Sequence, residues 1–328
     1  MRVFSGVRPT GELHIGNYLG AIKQWLELQK ENECLFCIVD LHAITTPYEK
    51  KSFQKNILEL ATAYLAAGLD PEKCILFIQS QIKEHSELAW VLGTICPLGE
   101  LKRMTQFKEK AKKYPKYVNA GLLNYPLLMA SDILLYKTDL VPVGKDQKQH
   151  VELTQFLAEK FNRMFGKTFK VPKPLIPKIG AKIMSLQNPK KKMSKTDDPE
   201  GCIEIFEEPA TIERKVMSAV TDSGKKIKYD PIRKPGISNL LTVHSLFSGK
   251  SIKSLEKESS GMGYEKFKKS LVELLINSLK PFRQKKKEIL KREVFVREIL
   301  ERGRKRAQTI AKSTMEEVKR KMGLSINQ

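Results

Sequence analysis

Two segments of the chain carry side chains suited to binding phosphate groups. Residues 13–17 read Leu-His-Ile-Gly-Asn and follow a short apolar strand and a turn that contains glycine. His14 and Asn17 can both donate hydrogen bonds to phosphate oxygens, and Gly16 lets the backbone approach a ligand closely. Residues 190–196 read Lys-Lys-Lys-Met-Ser-Lys-Thr and could neutralise phosphate charge. Each segment also has an ordinary structural interpretation: an N-capped helix for the first, and a solvated basic turn or nucleic-acid patch for the second.

The elements expected to position these segments are the strands of a parallel sheet. Residues 34–40 and 74–79 are apolar runs typical of strands buried on both faces, and residues 52–67 have helical periodicity. This alternation predicts a doubly wound, Rossmann-like α/β domain that binds ligands at the carboxyl ends of its strands. From about residue 200 the alternation stops, and helices are predicted at 209–219, 238–247, 264–279, 282–302 and 304–322. We therefore predict a catalytic domain of residues 1–200 and an all-α domain of residues 201–328.

Composition limits the possible classes of protein. The 328 residues are 41% hydrophobic and 29% charged, and no apolar run approaches the ~20 residues that cross a membrane. The chain starts directly in a strand without a signal-peptide pattern, which predicts a cytoplasmic protein. A net charge of +22 favours a polyanionic partner, and residues 281–328 contain 15 Lys or Arg against 6 Glu. Cys34 and Cys37 lie in a predicted strand, where positions three apart face opposite sides, so we interpret them as core thiols.

Two acidic residues need an explanation of their own. Tyr125, Met129 and Asp132 share one face of the helix predicted from residue 124, and a carboxylate on an apolar face is costly unless it meets a donor. The donor could be a neighbouring protein group or an N–H of a ligand. Asp146 follows a second strand-and-glycine turn, and with Gln149 it could also form a capping box at the start of a helix.

Five stretches in order carry a family resemblance. His-Ile-Gly-Asn at 14–17 resembles the histidine–glycine signature of the class I aminoacyl-tRNA synthetases, and Lys-Met-Ser-Lys-Thr at 192–196 resembles their mobile lysine loop. Residues 121–136, 141–150 and 235–241 are similar to the bacterial-type tryptophanyl-tRNA synthetases within that class. Arg8 stands where glutamine is common, Lys145 where glutamate is common, and Thr196 where serine is usual. We hypothesise that Arg8 adds a contact to ATP or to the amino-acid carboxylate.

The resemblance implies a reaction and a set of site residues. The reaction would be activation of L-tryptophan by ATP, with Mg²⁺ held mainly by the ATP phosphates rather than by protein ligands, followed by transfer to tRNA. Catalytic roles would fall on His14, Asn17, Lys110, Lys192 and Lys195. The ATP site would comprise Arg8, Pro9, Thr10, Gly16, Asn17, Gly144, Lys145, Asp146, Ile183, Lys192, Met193, Ser194, Lys195 and Thr196. The tryptophan pocket would comprise Phe4, His42, Tyr125, Met129, Asp132, Val141, Val143 and Gln147, with Asp132 accepting the indole N–H.

The resemblance also implies partners. The family is dimeric, and an insertion at about residues 98–170 would supply much of the dimer interface, while the C-terminal helices would bind the anticodon end of the tRNA. Three other functions compete with this interpretation: a tyrosyl-tRNA synthetase, a small-molecule nucleotidyltransferase, and a catalytically silent relative that binds RNA. The stretch around Asp132 does not match the tyrosyl enzyme. A nucleotidyltransferase would not need the basic helices after residue 200, and joint retention of the site residues argues against a silent relative.

Overall fold

The fold is built around one parallel sheet. The computed structural model describes residues 1–9, 13–176, 183–195, 197–224 and 226–325. Within these ranges five strands form a sheet in the order β3-β2-β1-β4-β5, and every neighbouring pair is parallel. The strands are β1 (Arg2–Val7), β2 (Glu33–Ile38), β3 (Cys74–Ile78), β4 (Leu140–Pro142) and β5 (Lys173–Leu175). The predicted doubly wound α/β sheet is confirmed.

Side chains alternate between two apolar cores, one on each face of the sheet. In β2, Cys34 and Phe36 belong to the first core, whereas Leu35 and Cys37 belong to the second. The two cysteines therefore lie on opposite faces of the strand, as its period of two predicts. Burial on both faces explains why this strand reads as a continuous apolar run rather than as an alternating one.

The helices that connect the strands along the chain cover both faces of the sheet. After β1, residues 15–28 form one helical segment with a π-helical turn at Tyr18–Ile22. The helices before the C-terminal part are α1 (Ile15–Asn17), α2 (Lys23–Leu28), α3 (Asp40–Ala43), α4 (Lys50–Ala66), α5 (Glu84–Ile95), α6 (Leu98–Lys102), α7 (Thr105–Lys113), α8 (Ala120–Leu134) and α9 (Lys148–Phe165). The predicted insertion at 98–170 contains β4, a central strand. Only α6 to α8 of that range lie between β3 and β4.

The C-terminal part is helical. It consists of α10 (Pro209–Met217), α11 (Pro235–Ser248), α12 (Ile252–Glu258), α13 (Tyr264–Leu290) and α14 (Glu293–Lys321). The helix breaks predicted near residues 280 and 303 are wrong, because Pro281 lies inside α13. A proline removes one backbone hydrogen bond, and in the turn before it the carbonyl of Ile276 accepts from the guanidinium of Arg283 at 2.9 Å. In the described part of the chain, no helix has the length and apolar character of a membrane span.

Helix α14 crosses the open edge of the sheet. Val296 and Leu300, in its first half, belong to the first core, whereas Ala307 and Ala311, in its second half, belong to the second core. Gly303 lies at the crossing point, against the backbone of edge strand β3. The helix therefore covers a row of backbone groups that an edge strand would otherwise expose. The first core also contains residues from both sides of residue 200, and the domain division near that residue stays a prediction.

The close approach of Gly303 to the backbone of β3 leads to a prediction about stability. A Cβ added there would lie 1.8 Å from the carbonyl oxygen of Leu76. The Cβ position is fixed by the backbone of α14 and the oxygen belongs to the backbone of β3, so α14 would have to move away from β3. We expect Gly303→Ala to lower the free energy of unfolding by about 3 kcal/mol, at the upper end of overpacking costs. Urea unfolding measures this. Gly99→Ala is the matched control, because Gly99 is also helical and nothing lies within 4 Å of its added Cβ. Equal midpoints for the two variants would contradict the prediction.

Candidate active site

The site lies where the strand order changes direction. Strand β1 lies between β2 and β4, so the connections that leave β1 and β4 diverge at their carboxyl ends. Such a switch point is where open α/β sheets bind ligands. Arg8 follows β1, Gly144 follows β4, and Asp40 to His42 follow β2. The topology therefore brings segments that are far apart in sequence to a single edge of the sheet.

A cavity of about 1050 Å³ at this edge joins the two predicted phosphate-binding segments. His14 and Asn17 line it from one side, and the lysine segment lines it from the other. The described residues that line it are Val7, Arg8, Leu13, His14, Asn17, Leu60, Lys113, Asn188, Lys191, Lys192, Met193, Ser194, Lys195, Asp197 and Asp198. Four lysines and an arginine thus face one space, where they can neutralise a polyphosphate.

Local hydrogen bonds fix the tautomer of His14. The ring Nδ1 of His14 accepts from the backbone N–H of Gly16 at 3.1 Å. The backbone N–H of His14 donates to the Oδ1 of Asn17 at 3.1 Å. This reciprocal capping box places the proton of a neutral imidazole on Nε2, which is then a donor for an anionic ligand. A Cβ on Gly16 would lie 2.9 Å from the imidazole ring, so glycine keeps the ring in place.

The same environment keeps His14 neutral. Burial, and then the charge of Lys192, lower the pKa of His14 to about 4. The imidazole is therefore uncharged at neutral pH and acts as a hydrogen-bond donor rather than as a cation.

A pH dependence of stability follows from this low pKa. The folded protein binds the His14 proton only below about pH 4, whereas the unfolded chain binds it below about 6.5. The stabilisation by neutral His14 is thus complete above pH 6.5 and is lost as the pH falls towards 4, by up to ~3 kcal/mol. His14→Asn keeps a capping oxygen but cannot titrate. We expect the difference in unfolding free energy between the two proteins to shrink between pH 7 and pH 4.5. A difference independent of pH would contradict this assignment.

The lysine segment is anchored at its centre. The N–H of Met193 donates to the carbonyl of Ile183 at 3.0 Å, and the Met193 side chain is buried in the first core. Lys192 remains exposed. Lys195 pairs with Glu204 at 2.7 Å. Residue 204 also forms a β-bridge with His14, so Glu204 ties the two phosphate-binding segments together. The buried methionine therefore holds a turn that presents lysines to the cavity.

Asp132 is the centre of a buried polar network. Its Oδ2 accepts from the Nε2 of His42 at 2.9 Å, and its Oδ1 accepts from the Nε2 of Gln79 at 2.7 Å and the Nδ1 of His85 at 2.6 Å. Burial would raise the pKa of Asp132, but the hydrogen bonds from His42 and His85 outweigh it and hold the pKa below its usual value. The sequence left the donor open between a protein group and a ligand. The structure supplies three protein donors.

Among the other residues predicted for the amino-acid pocket, Phe4 and Tyr125 contact side chains of this network. The ring of Phe4 stacks on Tyr136 with centroids 5.6 Å apart, and His42 meets the edge of Tyr125 at 5.9 Å. The Tyr125 hydroxyl bonds to the Nε2 of His150 at 2.7 Å. Val141 is buried in the second core, and Met129 and Val143 pack against the same core. Gln147 is half-buried and donates to the Oδ2 of Asp146 at 3.0 Å.

Two lysines of α7 take different positions. The Nζ of Lys110 lies 4.2 Å from the centroid of the Tyr125 ring, and burial together with the charge of Arg8 lowers the pKa of Lys110 to about 8. Lys110 thus lies beside the residues predicted for the amino-acid pocket. Lys113, which sequence reasoning did not select for the ATP site, lines the cavity and pairs with Asp197 at 3.3 Å.

The remaining predicted residues divide into three groups. Pro9 and Ile183 are buried, whereas Gly144 and Asp146, which follow β4, are exposed. The described residues do not form the capping box predicted for Asp146 and Gln149: the N-cap residue of the helix is Gln147, and Gln149 accepts from the N–H of Thr105 at 3.0 Å. Thr10, Thr196 and the side chain of Lys145 lie outside the described part of the structure.

Sequence reasoning missed several residues that this geometry brings into the site. They are Lys113, which lay in a run of similar lysines, and His85 and Glu204, which no local pattern distinguished. Gln79 ends the apolar run predicted to be a strand at residues 74–79, and the structure adds its bond to Asp132.

Comparison with known proteins agrees with this geometry. The chain belongs to the class I tRNA synthetases of the tryptophan and tyrosine group, which it matches over residues 1–280. A tryptophan–tRNA ligase of Caldanaerobacter subterraneus subsp. tengcongensis is 52% identical over 324 residues, covering 98% of each protein. A tryptophanyl-tRNA synthetase from Mycoplasma pneumoniae has a similar crystal structure, with a TM-score of 0.88 at 35% identity over 99% of this chain and 98% of the other. The enzyme from Campylobacter jejuni complexed with ADP and tryptophan gives a TM-score of 0.85 at 36% identity over 99% and 100%. The family resemblance drawn from the motifs is confirmed.

Proposed function

We propose that this protein is an enzyme that ligates L-tryptophan to its tRNA at the expense of ATP, through a tryptophanyl-adenylate. The observation that carries the proposal is the single cavity that His14 shares with Lys192 and Lys195, at the edge of the sheet where the Asp132 network also lies. Relatives about half identical over nearly the whole chain bear the tryptophan name, which supports tryptophan over tyrosine.

In the first step the tryptophan carboxylate attacks the α-phosphorus of ATP, and the bond to the pyrophosphate group breaks. The nucleophile is already ionised, so no general base is needed, and catalysis depends on positioning and charge neutralisation. The Nε2–H of His14 donates to a phosphate oxygen, while Lys192 and Lys195 neutralise the leaving pyrophosphate. Mg²⁺ would be held mainly by the ATP phosphates rather than by protein ligands, and it would add to the charge neutralisation.

The amino-acid pocket uses the network around Asp132. Oδ2 of Asp132 accepts one bond from His42, so it has room for a second donor, and we assign that position to the indole N–H. Phe4, Met129, Val141 and Val143 supply apolar walls, and Tyr125 and Gln147 complete the pocket. A site built to accept a hydrogen bond rejects substrates that lack the donor much more strongly than shape alone does.

In the second step the tryptophanyl group is transferred to the tRNA, and AMP is released. The basic surface of the C-terminal helices suits a polyanion of this size, since the net charge of the chain is +22. We assign the anticodon end to the region after residue 200. With this role in translation, we propose that the protein acts in the cytoplasm.

We also propose that two copies of the chain form a dimer. Between α5, α6 and α8 lies an apolar groove of about 760 Å³, and Trp90 and Leu98 on its border are 79% and 55% exposed. Apolar patches of this kind mark protein interfaces. The groove lies partly in the range 98–170 predicted for the interface, and α5 extends it to residues before that range.

Pyrophosphate exchange with each of the twenty amino acids in turn tests the proposed function. We expect ATP–pyrophosphate exchange with tryptophan alone, and formation of tryptophanyl-tRNA when tRNA is added. Exchange with tyrosine instead would favour the tyrosyl enzyme, and no exchange with any amino acid would favour the silent RNA-binding relative. Either result would overturn the proposal.

A further inference from the structure

The hydrogen bonds of Asp132 are distributed unevenly between its two oxygens. Among the described residues, Oδ1 accepts from both Gln79 and His85, whereas Oδ2 accepts from His42 alone. A carboxylate oxygen accepts about two hydrogen bonds, so Oδ1 is filled and Oδ2 has one acceptor position left. Asp132 itself is only 1% exposed. The arrangement therefore allows one further donor, and that donor must reach Oδ2.

His85 is held rigidly at both ring nitrogens. Its Nδ1–H donates to Asp132, and its Nε2 lies 2.8 Å from the hydroxyl of Tyr136. Burial raises the pKa of Tyr136 well above its ordinary value, so this hydroxyl stays protonated and donates to Nε2. The backbone is fixed too, because the carbonyl of His85 accepts from the hydroxyl of Ser131 at 2.6 Å. The ring is fully buried and cannot turn away without breaking both bonds.

We propose that His85 is a positioning residue for amino-acid specificity: by filling Oδ1 it orients the Asp132 carboxylate so that Oδ2 alone accepts the N–H of the substrate ring. This inference rests on the proposed function, because it assigns a role within the tryptophan pocket. His85 does not contact the substrate and acts through Asp132. Without it, the carboxylate has an acceptor position open on each oxygen, and rotation about its Cβ–Cγ bond no longer costs the bond to His85.

Two variants of similar polarity distinguish the bond that Nδ1 of His85 makes to Asp132 from the bond that Nε2 makes to Tyr136. In His85→Asn the side-chain amide lies near the position of Nδ1 and can still donate to Asp132. In His85→Gln the amide lies near the position of Nε2 and reaches Tyr136 instead. A role in packing alone would make the two variants alike, whereas the proposed role makes them differ.

The measured quantity is how strongly the enzyme prefers a substrate that has the ring N–H over one that lacks it. Pyrophosphate exchange is measured with tryptophan and with benzothienylalanine, in which sulfur replaces the indole N–H. We expect His85→Gln to lower the tryptophan-to-analogue ratio of kcat/KM about tenfold or more, the loss typical of a hydrogen bond to a charged group. We expect His85→Asn to stay within about threefold of wild type, since it keeps the donor to the carboxylate. The KM for ATP should change little in both variants.

Equal ratios in the two variants, whether both lowered or both unchanged, would overturn the inference. Should His85→Gln not fold, Tyr136→Phe replaces it, because that change releases the Nε2 end and keeps the bond to Asp132. Its ratio should fall by a smaller factor, and an unchanged ratio would then overturn the inference. Wild-type protein that shows no exchange with tryptophan would overturn the proposed function itself, which is a different result.

Discussion

Asp132→Asn should raise the KM for tryptophan by about 100-fold or more and lower the free energy of unfolding by about 3–5 kcal/mol. An asparagine has one acceptor oxygen where the aspartate has two, and three protein donors already point at this group. If its oxygen faces Gln79 and His85, its NH₂ group faces the N–H of His42. If it is turned the other way, two donors face the NH₂ group. In either orientation buried donors lose their partners.

Urea unfolding and pyrophosphate exchange measure the two effects. Glu31→Gln is a suitable control, because it also removes one negative charge but lies on the exposed surface. Its free energy of unfolding should change by less than about 0.5 kcal/mol. A wild-type KM for tryptophan in Asp132→Asn would remove Asp132 from the specificity site. Unchanged stability would show that the hydrogen bonds around it contribute little.

Lys192→Ala should lower kcat for adenylate formation by about 10²- to 10³-fold and leave the KM for tryptophan close to wild type. Lys192 faces the shared cavity, and its charge is one of the two causes of the low pKa of His14. Its proposed work is to neutralise charge that develops on the leaving pyrophosphate, which affects the transition state more than the bound amino acid. Because Lys192 is exposed, the variant should fold normally.

Lys190→Ala is the matched control, since Lys190 belongs to the same run of lysines but does not line the cavity. It should keep kcat within about threefold of wild type if the effect is specific to the position. Equal losses in the two variants would mean that the segment acts only through its total charge. Steady-state exchange at saturating ATP and tryptophan measures both.

The sequence predicted those parts of the fold that depend on local patterns. The apolar run of β2 indicated a strand buried on both faces, and Cys34 and Cys37 fell on opposite faces because the period of a strand is two. The break predicted at Pro281 failed because tertiary packing holds α13 on both sides of the proline, where Leu279 and Ile289 are buried in the first core. Local preference is a weak guide wherever long-range contacts dominate.

In the candidate active site, too, the sequence predicted the residues that form local patterns and missed those that only the fold brings together. The two phosphate-binding segments were recognisable because glycine, histidine and lysine occur there at short spacings. Two of the donors to Asp132 were not, since Gln79 and His85 precede it by about 50 residues and meet it only in the folded protein. Lys113 could not be separated from its lysine neighbours, because only the fold shows which of them turns towards Asp197.

The helix that crosses the edge of the sheet has a consequence for synthesis on the ribosome. More than 200 residues separate β3, which ends at Ile78, from α14, which begins at Glu293. At about 5–20 residues per second, a nascent chain would expose this strand for roughly 10 to 40 seconds before its cover emerges. During that time the unpaired backbone groups of β3 can pair with other chains. We therefore expect the nascent chain to depend on chaperones most strongly in the interval before α14 is synthesised.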